Sequence, residues 1–341
     1  MTRMSVPLRA LILAAFFGAL VAPARAETRL KVNIWPHINH NIVALVVIPW
    51  TKMIEEATGG EVKFDVPAGS LAAAADIPDA IAGGVADIGF IVPGYSPARY
   101  PTTRAVELPL LANTATALSV AYWRTQVAHF NKTKEFEDLK LLGVFTHGPG
   151  QIIAKKPIAS LDDVKGMKLR VGGGMVRELA NALGVVAIAV PATQSYEVLS
   201  KGVADGIFFP PEGVLSFKLA PVLSHYYEVP GGVYNSAFAL VMNKKKWAGL
   251  SPATRAKIES VSGEKMAVVA GKQWDERDQQ ALKLMADAGI KTAVADAAAV
   301  ARVKGLAVKL ETDWIAEVAK LGVDGKAALG MLRTEAAKAT N

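Results

Sequence analysis

The sequence predicts an α/β protein built as two similar lobes facing a cleft. Three observations carry that prediction: a strand, helix, strand succession near the start, a Gly-Val-Ala-Asp unit that occurs twice, and a length of 341 residues, 51% of them hydrophobic, which is material for two cores of ordinary size. Arg29-Leu30-Lys31-Val32-Asn33-Ile34-Trp35 alternates polar and apolar residues and breaks at Pro36, so it reads as a strand ending in a loop that carries Trp35, His37 and His40. Ile48 to Ala57 has helical spacing and stops at Gly59-Gly60, and Glu61 to Pro67 alternates again. Such a succession implies a mostly parallel sheet whose ligands bind beyond the carboxyl ends of the strands.

The repeated unit is Ala80-Ile81-Ala82-Gly83-Gly84-Val85-Ala86-Asp87-Ile88-Gly89-Phe90, echoed by Val198-Leu199-Ser200-Lys201-Gly202-Val203-Ala204-Asp205-Gly206-Ile207-Phe208. Each reads as a helix end, a glycine cap and a buried strand, one per lobe. Between them, Lys168-Leu169-Arg170-Val171 forms a short alternating strand, Gly172-Gly173-Gly174 a loop, and Met175 to Leu183 a helix closed by Gly184. Arg170 thus precedes a helix N-terminus, where free backbone N–H groups favour negative charge and a guanidinium grips a carboxylate through two parallel hydrogen bonds. The competing reading, an ordinary surface salt bridge beside a tight turn, stays open on the local pattern. From Ser251 onward the chain is rich in Ala, Lys, Glu and Leu and should be mostly helical, with one long helix inside 254–289.

Composition removes whole classes of function. There is no cysteine, hence no disulfide and no thiolate chemistry. Lys and Arg are interspersed with Asp and Glu, which argues against nucleic acid as a partner. No Gly-x-Ser-x-Gly, Walker loop or His-Glu-x-x-His occurs, and Arg177 stands where a dinucleotide-binding loop needs its third glycine, so no cofactor is expected. His37 and His40 lack the neighbouring ligands of a metal site, and a polar loop at the cleft edge is the reading adopted. Phe90, Tyr95, Tyr100, Phe208, Phe209 and Tyr234 fall near strand ends or loops; each reads as core, and together they are able to wall a pocket for an apolar or aromatic acid.

Residues 1–26 read as a secretory leader: Arg3 and Arg9 precede an apolar run to Val21, and Ala24-Arg25-Ala26 offers a cleavage site. Removing three arginines and no acid lowers the net charge from +7 to +4. The apolar run is too short to span a bilayer comfortably, so an exported, unanchored protein is expected.

The chain resembles the solute-binding proteins of tripartite ATP-independent periplasmic (TRAP) transporters, the DctP-like group. The resemblance is carried by Trp50-x-x-x-Ile54-Glu55-Glu56-x-Thr58-Gly59-Gly60-x-Val62, Gly84 to Gly89, Val106-Glu107-Leu108-Pro109-Leu110, Lys165 to Val171, and Tyr196-Glu197-Val198-Leu199-x-x-Gly202-Val203-Ala204-Asp205-Gly206. It implies a two-domain periplasmic binding protein fold, a cleft that closes on an organic acid, a long helix spanning both domains, and delivery to TRAP membrane subunits driven by an ion gradient. It also assigns the grip on the ligand carboxylate to Arg170. The expected division is 27–148 plus 236–276 for the first domain and 149–235 plus 277–341 for the second, in a monomer. Candidate ligand contacts are Arg170, Phe209, Glu212, Trp35, His37, Tyr95 and Gln151.

Two departures from the family pattern bear on the ligand. Thr146-His147-Gly148-Pro149-Gly150-Gln151 lacks the second arginine of sugar-acid binders, and Ile207-Phe208-Phe209-Pro210 stands where many members have Gln-Glu-Asn-Pro. An aromatic face in place of a hydrogen-bonding amide favours a monocarboxylate with an apolar or aromatic body over a sugar acid, whose unpaired hydroxyls are costly to bury. The alternatives are the binding component of another uptake or sensing system, and a secreted hydrolase or lyase using His37 or His147 as general base.

Overall fold

A computed structural model describes residues 27–338; the leader read at 1–26 lies outside the described residues. Eleven strands run in chain order: β1 (Thr28–Asn33), β2 (Val62–Asp65), β3 (Ile88–Ile91), β4 (Leu139–Thr146), β5 (Gln151–Ala154), β6 (Lys168–Val171), β7 (Val186–Ala189), β8 (Gly206–Phe209), β9 (His225–Glu228), β10 (Ala237–Asn243) and β11 (Lys291–Val294). They form a five-stranded sheet, β2-β1-β3-β10-β4, and a six-stranded sheet, β11-β9-β5-β8-β6-β7. In the first, β1 pairs parallel with β2 and β3, and β10 runs antiparallel between β3 and β4. In the second, β6 pairs parallel with β7 and β8, and β5 runs antiparallel between β8 and β9. The two lobes therefore share one plan.

The repeated Gly-Val-Ala-Asp has a physical role that is the same in both lobes. Asp87 donates its backbone N–H to the Lys31 carbonyl at 2.8 Å and accepts the Lys31 N–H on Oδ2 at 2.8 Å. Asp205 does likewise with Lys168, at 2.6 and 3.0 Å. The Asp87 carbonyl accepts from Asn243 and the Asp205 carbonyl from Lys155. Each aspartate, just ahead of β3 or β8, thus links the parallel strand on one side, β1 or β6, to the antiparallel strand on the other, β10 or β5, and the glycine three residues before it is left-handed, φ 81° at Gly84 and 72° at Gly202.

The helix Ile48–Thr58 carries Pro49 in its first turn and ends at left-handed Gly59, as its sequence predicts. The residues before it, Val43–Val47, wind as a π-helical turn. The long helix is Glu264–Asp287, 24 residues. It packs on Ala115–Thr125 and β4 of the first lobe and on Pro211–Ser216 of the second, spanning both. Its Asp275 caps the first-lobe helix, accepting the Ala115 N–H at 2.6 Å, the Thr116 N–H at 3.1 Å and the Thr116 hydroxyl at 2.6 Å.

The C-terminal third is mostly helical, as expected, with one short strand, β11, at the edge of the second sheet. The last helix, Gly325–Lys338, packs on Ala115–Thr125 of the first lobe, burying Ala328, Leu329, Leu332 and Ala336. Among the described residues, no helix is long and apolar enough to cross a membrane.

The junction of the long helix with the first lobe depends on Gly271, where an added Cβ would lie 2.4 Å from Thr116 Cα and 2.7 Å from Thr116 N. Gly271→Ala should lower stability by about 1–3 kcal/mol through overpacking against backbone. A thermal melt reads this directly, and an unchanged Tm would show that the two helices separate without cost.

Candidate functional site

Between the lobes lies a cavity walled by the aromatic rings of Trp35, Phe209, Phe217, Tyr234, Phe238 and Trp274, with Arg170 set among them. The centre of a water-sized sphere has about 40 Å³ to move in, a few times the ~10–15 Å³ that one water needs. The lobes meet around it. Tyr95 of the first lobe accepts the Ala192 N–H of the second at 2.9 Å, Asn41 donates to Glu212 at 3.0 Å, and the Trp35 and Phe217 rings lie within 13° of parallel, 6.4 Å between centroids.

Arg170 sits in β6, one residue before its end, and is 2% exposed. Its Nε and Nη2 both donate to the Val190 carbonyl, at 3.0 and 2.7 Å, and its guanidinium lies 5.1 Å from the centroid of the Phe209 ring. Among the described residues it forms no ion pair. The surface salt bridge entertained for it is thereby removed. The carbonyl fixes one edge of the guanidinium, and a buried cation without a counter-charge is stable only with an anion to come.

The helix N-terminus behind the glycine loop is not part of that anion site, contrary to the sequence expectation. Gly174 adopts φ 61° and leads into the helix Met175–Ala182, and the Met175 N–H donates to Glu107 Oε2 at 2.9 Å. A carboxylate from the first lobe already fills the place.

The predicted contacts divide. Arg170, Phe209, Glu212, Trp35 and Tyr95 line the cavity. His37 and Gln151 do not: His37 is exposed and accepts the Asn39 N–H at 3.2 Å. Gln151 is buried and exchanges both amide hydrogen bonds with Val229, donating at 3.1 Å and accepting at 2.7 Å. His37 lies in the loop after β1, and its turn toward solvent is set by chain geometry that spacing alone does not reveal. Glu212, which follows two prolines, is buried, bonded to Asn41 and Ser216, with its own N–H on Asp278 at 2.7 Å. Of the six aromatic candidates, Tyr95, Phe209 and Tyr234 line the cavity; Phe90 backs Trp35 at 5.6 Å, Phe208 lies against Tyr234, and Tyr100 packs on Phe136.

Residues missed as ligand contacts include His40, Phe217, Phe238, Trp274 and Glu107, all at the cavity. Trp274 comes from the long helix and Phe238 from β10, more than 60 residues after Arg170 in sequence, stacked at 4.9 Å and 9°. No local motif marks them. His147, weighed as a general base, also lines the cavity, and burial pushes its imidazole down to about 4, with the Arg170 charge a smaller contribution in the same direction. Its Nδ1 faces the Gly148 carbonyl, which only accepts, so Nδ1 carries the proton and Nε2 accepts from the Ser236 hydroxyl at 3.1 Å.

Burial pushes the Glu107 carboxyl up to about 7, against the opposing pull of the Met175 N–H and Arg104. The folded protein therefore holds this proton across a range where an unfolded glutamate, near 4.5, has lost it. The stability it contributes is fully present below the unfolded value and is lost as pH rises through about 7. Glu135 behaves alike, also near 7, so the readout is the difference in Tm between the wild type and Glu107→Gln. That difference should move against the wild type between about pH 5 and about pH 8; a constant difference would show that Glu107 does not titrate there.

Comparisons with known proteins agree with this architecture. The sequence model of the bacterial extracellular solute-binding proteins, family 7 (DctP), matches residues 38–311. The outer membrane transporter protein TsaT of Comamonas testosteroni is 31% identical over 332 residues, 96% of this chain and 98% of its own. The structure of a TRAP periplasmic solute-binding protein from Bordetella bronchiseptica, with bound (R)- and (S)-mandelate, superposes with a TM-score of 0.89 at 36% identity, covering 91% of this chain and 99% of that one. A marine metagenome TRAP solute-binding protein specific for aromatic acid ligands, crystallised with 3-hydroxybenzoate, superposes at 0.85 with 32% identity, covering 92% and 99%. With the family match spanning most of the chain and the two-lobed cleft in place, this protein belongs to the DctP-type solute-binding proteins of TRAP transporters.

Proposed function

We propose that this protein captures a small aromatic monocarboxylate in the periplasm and delivers it to TRAP membrane subunits. The observation that carries this reading is Arg170: a buried guanidinium, held by a carbonyl and an aromatic face and paired with no carboxylate of the described chain. The missing counter-charge is the ligand's carboxylate, which a parallel pair among the three remaining N–H groups of the guanidinium, on its Nη1–Nη2 edge, receives. The rest of the wall is aromatic, and such surfaces hold a flat apolar body by burial and offset stacking.

Charge limits the ligand to one carboxylate. Arg170 is the one Arg or Lys side chain among the described residues that line the cavity, and a second anionic group on the ligand would be buried there without a cation to pair with. The neighbours that bind mandelate and 3-hydroxybenzoate support the same ligand class. The lobes, hinged where the chain crosses near 148, 235 and 276, close on the acid, with Tyr95 to Ala192, Asn41 to Glu212 and Glu107 to Met175 as the contacts that fasten the closed form.

A thermal-shift titration of the mature protein with benzoate, phenylacetate, mandelate and gluconate tests the reading. An aromatic acid at a hundred times its Kd should add about 2.7 kcal/mol to stability, gluconate nothing, and Arg170→Ala should abolish the shift. Arg170→Lys should retain only a fraction of it, because a point charge cannot reproduce the two-pronged contact. Stabilisation by gluconate alone, or a shift indifferent to Arg170, would refute it.

A further inference from the structure

We infer that Trp35 and His40 form a second polar subsite in the same cavity, which takes a hydrogen-bond acceptor oxygen on the ligand's ring, at the far side from the carboxylate. The inference rests on the aromatic-acid reading above and specifies it: the preferred ligand is an aryl monocarboxylate with an oxygen substituent on the ring, rather than a plain hydrocarbon acid.

Both residues line the cavity and both are 7% exposed. The Trp35 indole Nε1 and the His40 Nε2 have no hydrogen-bond partner. An indole N–H is only a donor. His40 is a donor at Nε2 too, because its Nδ1 accepts the Ile42 N–H at 3.3 Å, which places the ring proton on Nε2, and burial lowers the imidazole's tendency to take up a second. Two unpaired donors therefore sit on neighbouring rings, with centroids 5.6 Å apart. Leaving a buried donor unpaired costs roughly 1–3 kcal/mol each; both stand unpaired in the cavity wall, as does the Trp274 Nε1.

One wall of rings leads from Arg170 to the pair. The guanidinium lies over Phe209, Phe209 packs on Phe217 at 5.5 Å, and Phe217 packs on His40 at 5.1 Å and on Trp35 at 6.4 Å. Along that wall two phenyl rings lie between the cation and the donor pair. A ligand anchored by its carboxylate on Arg170 and lying along Phe209 and Phe217 presents the substituents of its ring, not those beside the carboxyl carbon, to Trp35 and His40.

Matched isosteres test this. The mature protein is titrated calorimetrically with 3- and 4-formylbenzoate, which carry an acceptor oxygen, and with 3- and 4-methylbenzoate, which fill similar space without one. In at least one pair the formyl acid should bind about tenfold tighter or more, the equivalent of one well-made hydrogen bond of about 1.4 kcal/mol. Trp35→Phe, which keeps the ring and deletes the N–H, should cut that preference at least threefold; His40→Leu serves the same purpose should the first variant fold poorly. Formyl and methyl acids binding alike would overturn the subsite and leave the aromatic-acid reading standing. A preference untouched by both variants would overturn the assignment to these two residues. Failure of all four acids to bind the wild type would refute the aromatic-acid reading itself, and the subsite with it.

Discussion

A single buried guanidinium organises this cleft. Arg170 is nearly sealed from water, and the protein gives it a carbonyl and an aromatic face but no opposing carboxylate. Burying an unpaired charge is among the most costly arrangements a fold can hold, and the surrounding structure is arranged to keep it so. His147 beside it stays neutral through burial and through the cation itself. Glu107, an acid of the cleft wall, is engaged by the Met175 N–H, and burial pushes its carboxyl up to about 7. The potential in the cavity is left for a ligand to neutralise.

That arrangement needs two lobes, because the groups around Arg170 come from both. The second lobe supplies Arg170 and Phe209 from adjacent parallel strands, β6 and β8. The first supplies Trp35, Tyr95 and Glu107 from the carboxyl ends of β1 and β3 and the segment that follows. Each lobe fixes its central strands with the same aspartate device, Asp87 on Lys31 and Asp205 on Lys168, so the two strand ends that face the cleft are held by equivalent hydrogen bonds. The long helix Glu264–Asp287 then joins the lobes along one side. It serves both structure and site: Asp275 caps a first-lobe helix, Asp278 receives the Glu212 N–H of the second, and Trp274, next to Asp275, enters the cavity wall.

Burial shapes the titratable groups at the cleft more than charge pairing does. It raises the Glu107 carboxyl and, more strongly, that of Asp278, and it lowers the imidazoles of His40 and His147. All four shifts go toward the neutral form. Arg170 is the exception by chemistry, since a guanidinium does not give up its proton at any ordinary pH. One permanent positive charge among groups driven neutral is a setting that selects a monoanion.

The sequence by itself determined what depends on local pattern. The strand Lys168–Val171 and the helix from Met175 are set by alternation and by 3.6-residue spacing, the Gly-Val-Ala-Asp units by a turn chemistry repeated in each lobe, and Arg170 and Phe209 by their places in short motifs. The tertiary structure decided what depends on which distant segments meet. Trp274 and Phe238 reach the cavity from a helix and a strand far along the chain, and nothing in their own neighbourhoods distinguishes them from core aromatics. His37 and His40, three residues apart and read alike as a polar loop, part company because a turn sends one ring to solvent and the other against Phe217. Gln151 closes on Val229, and the last helix crosses back to the first lobe. Sequence spacing specifies the direction of a side chain from its own strand or helix; only the packing of one lobe on the other specifies what that direction meets.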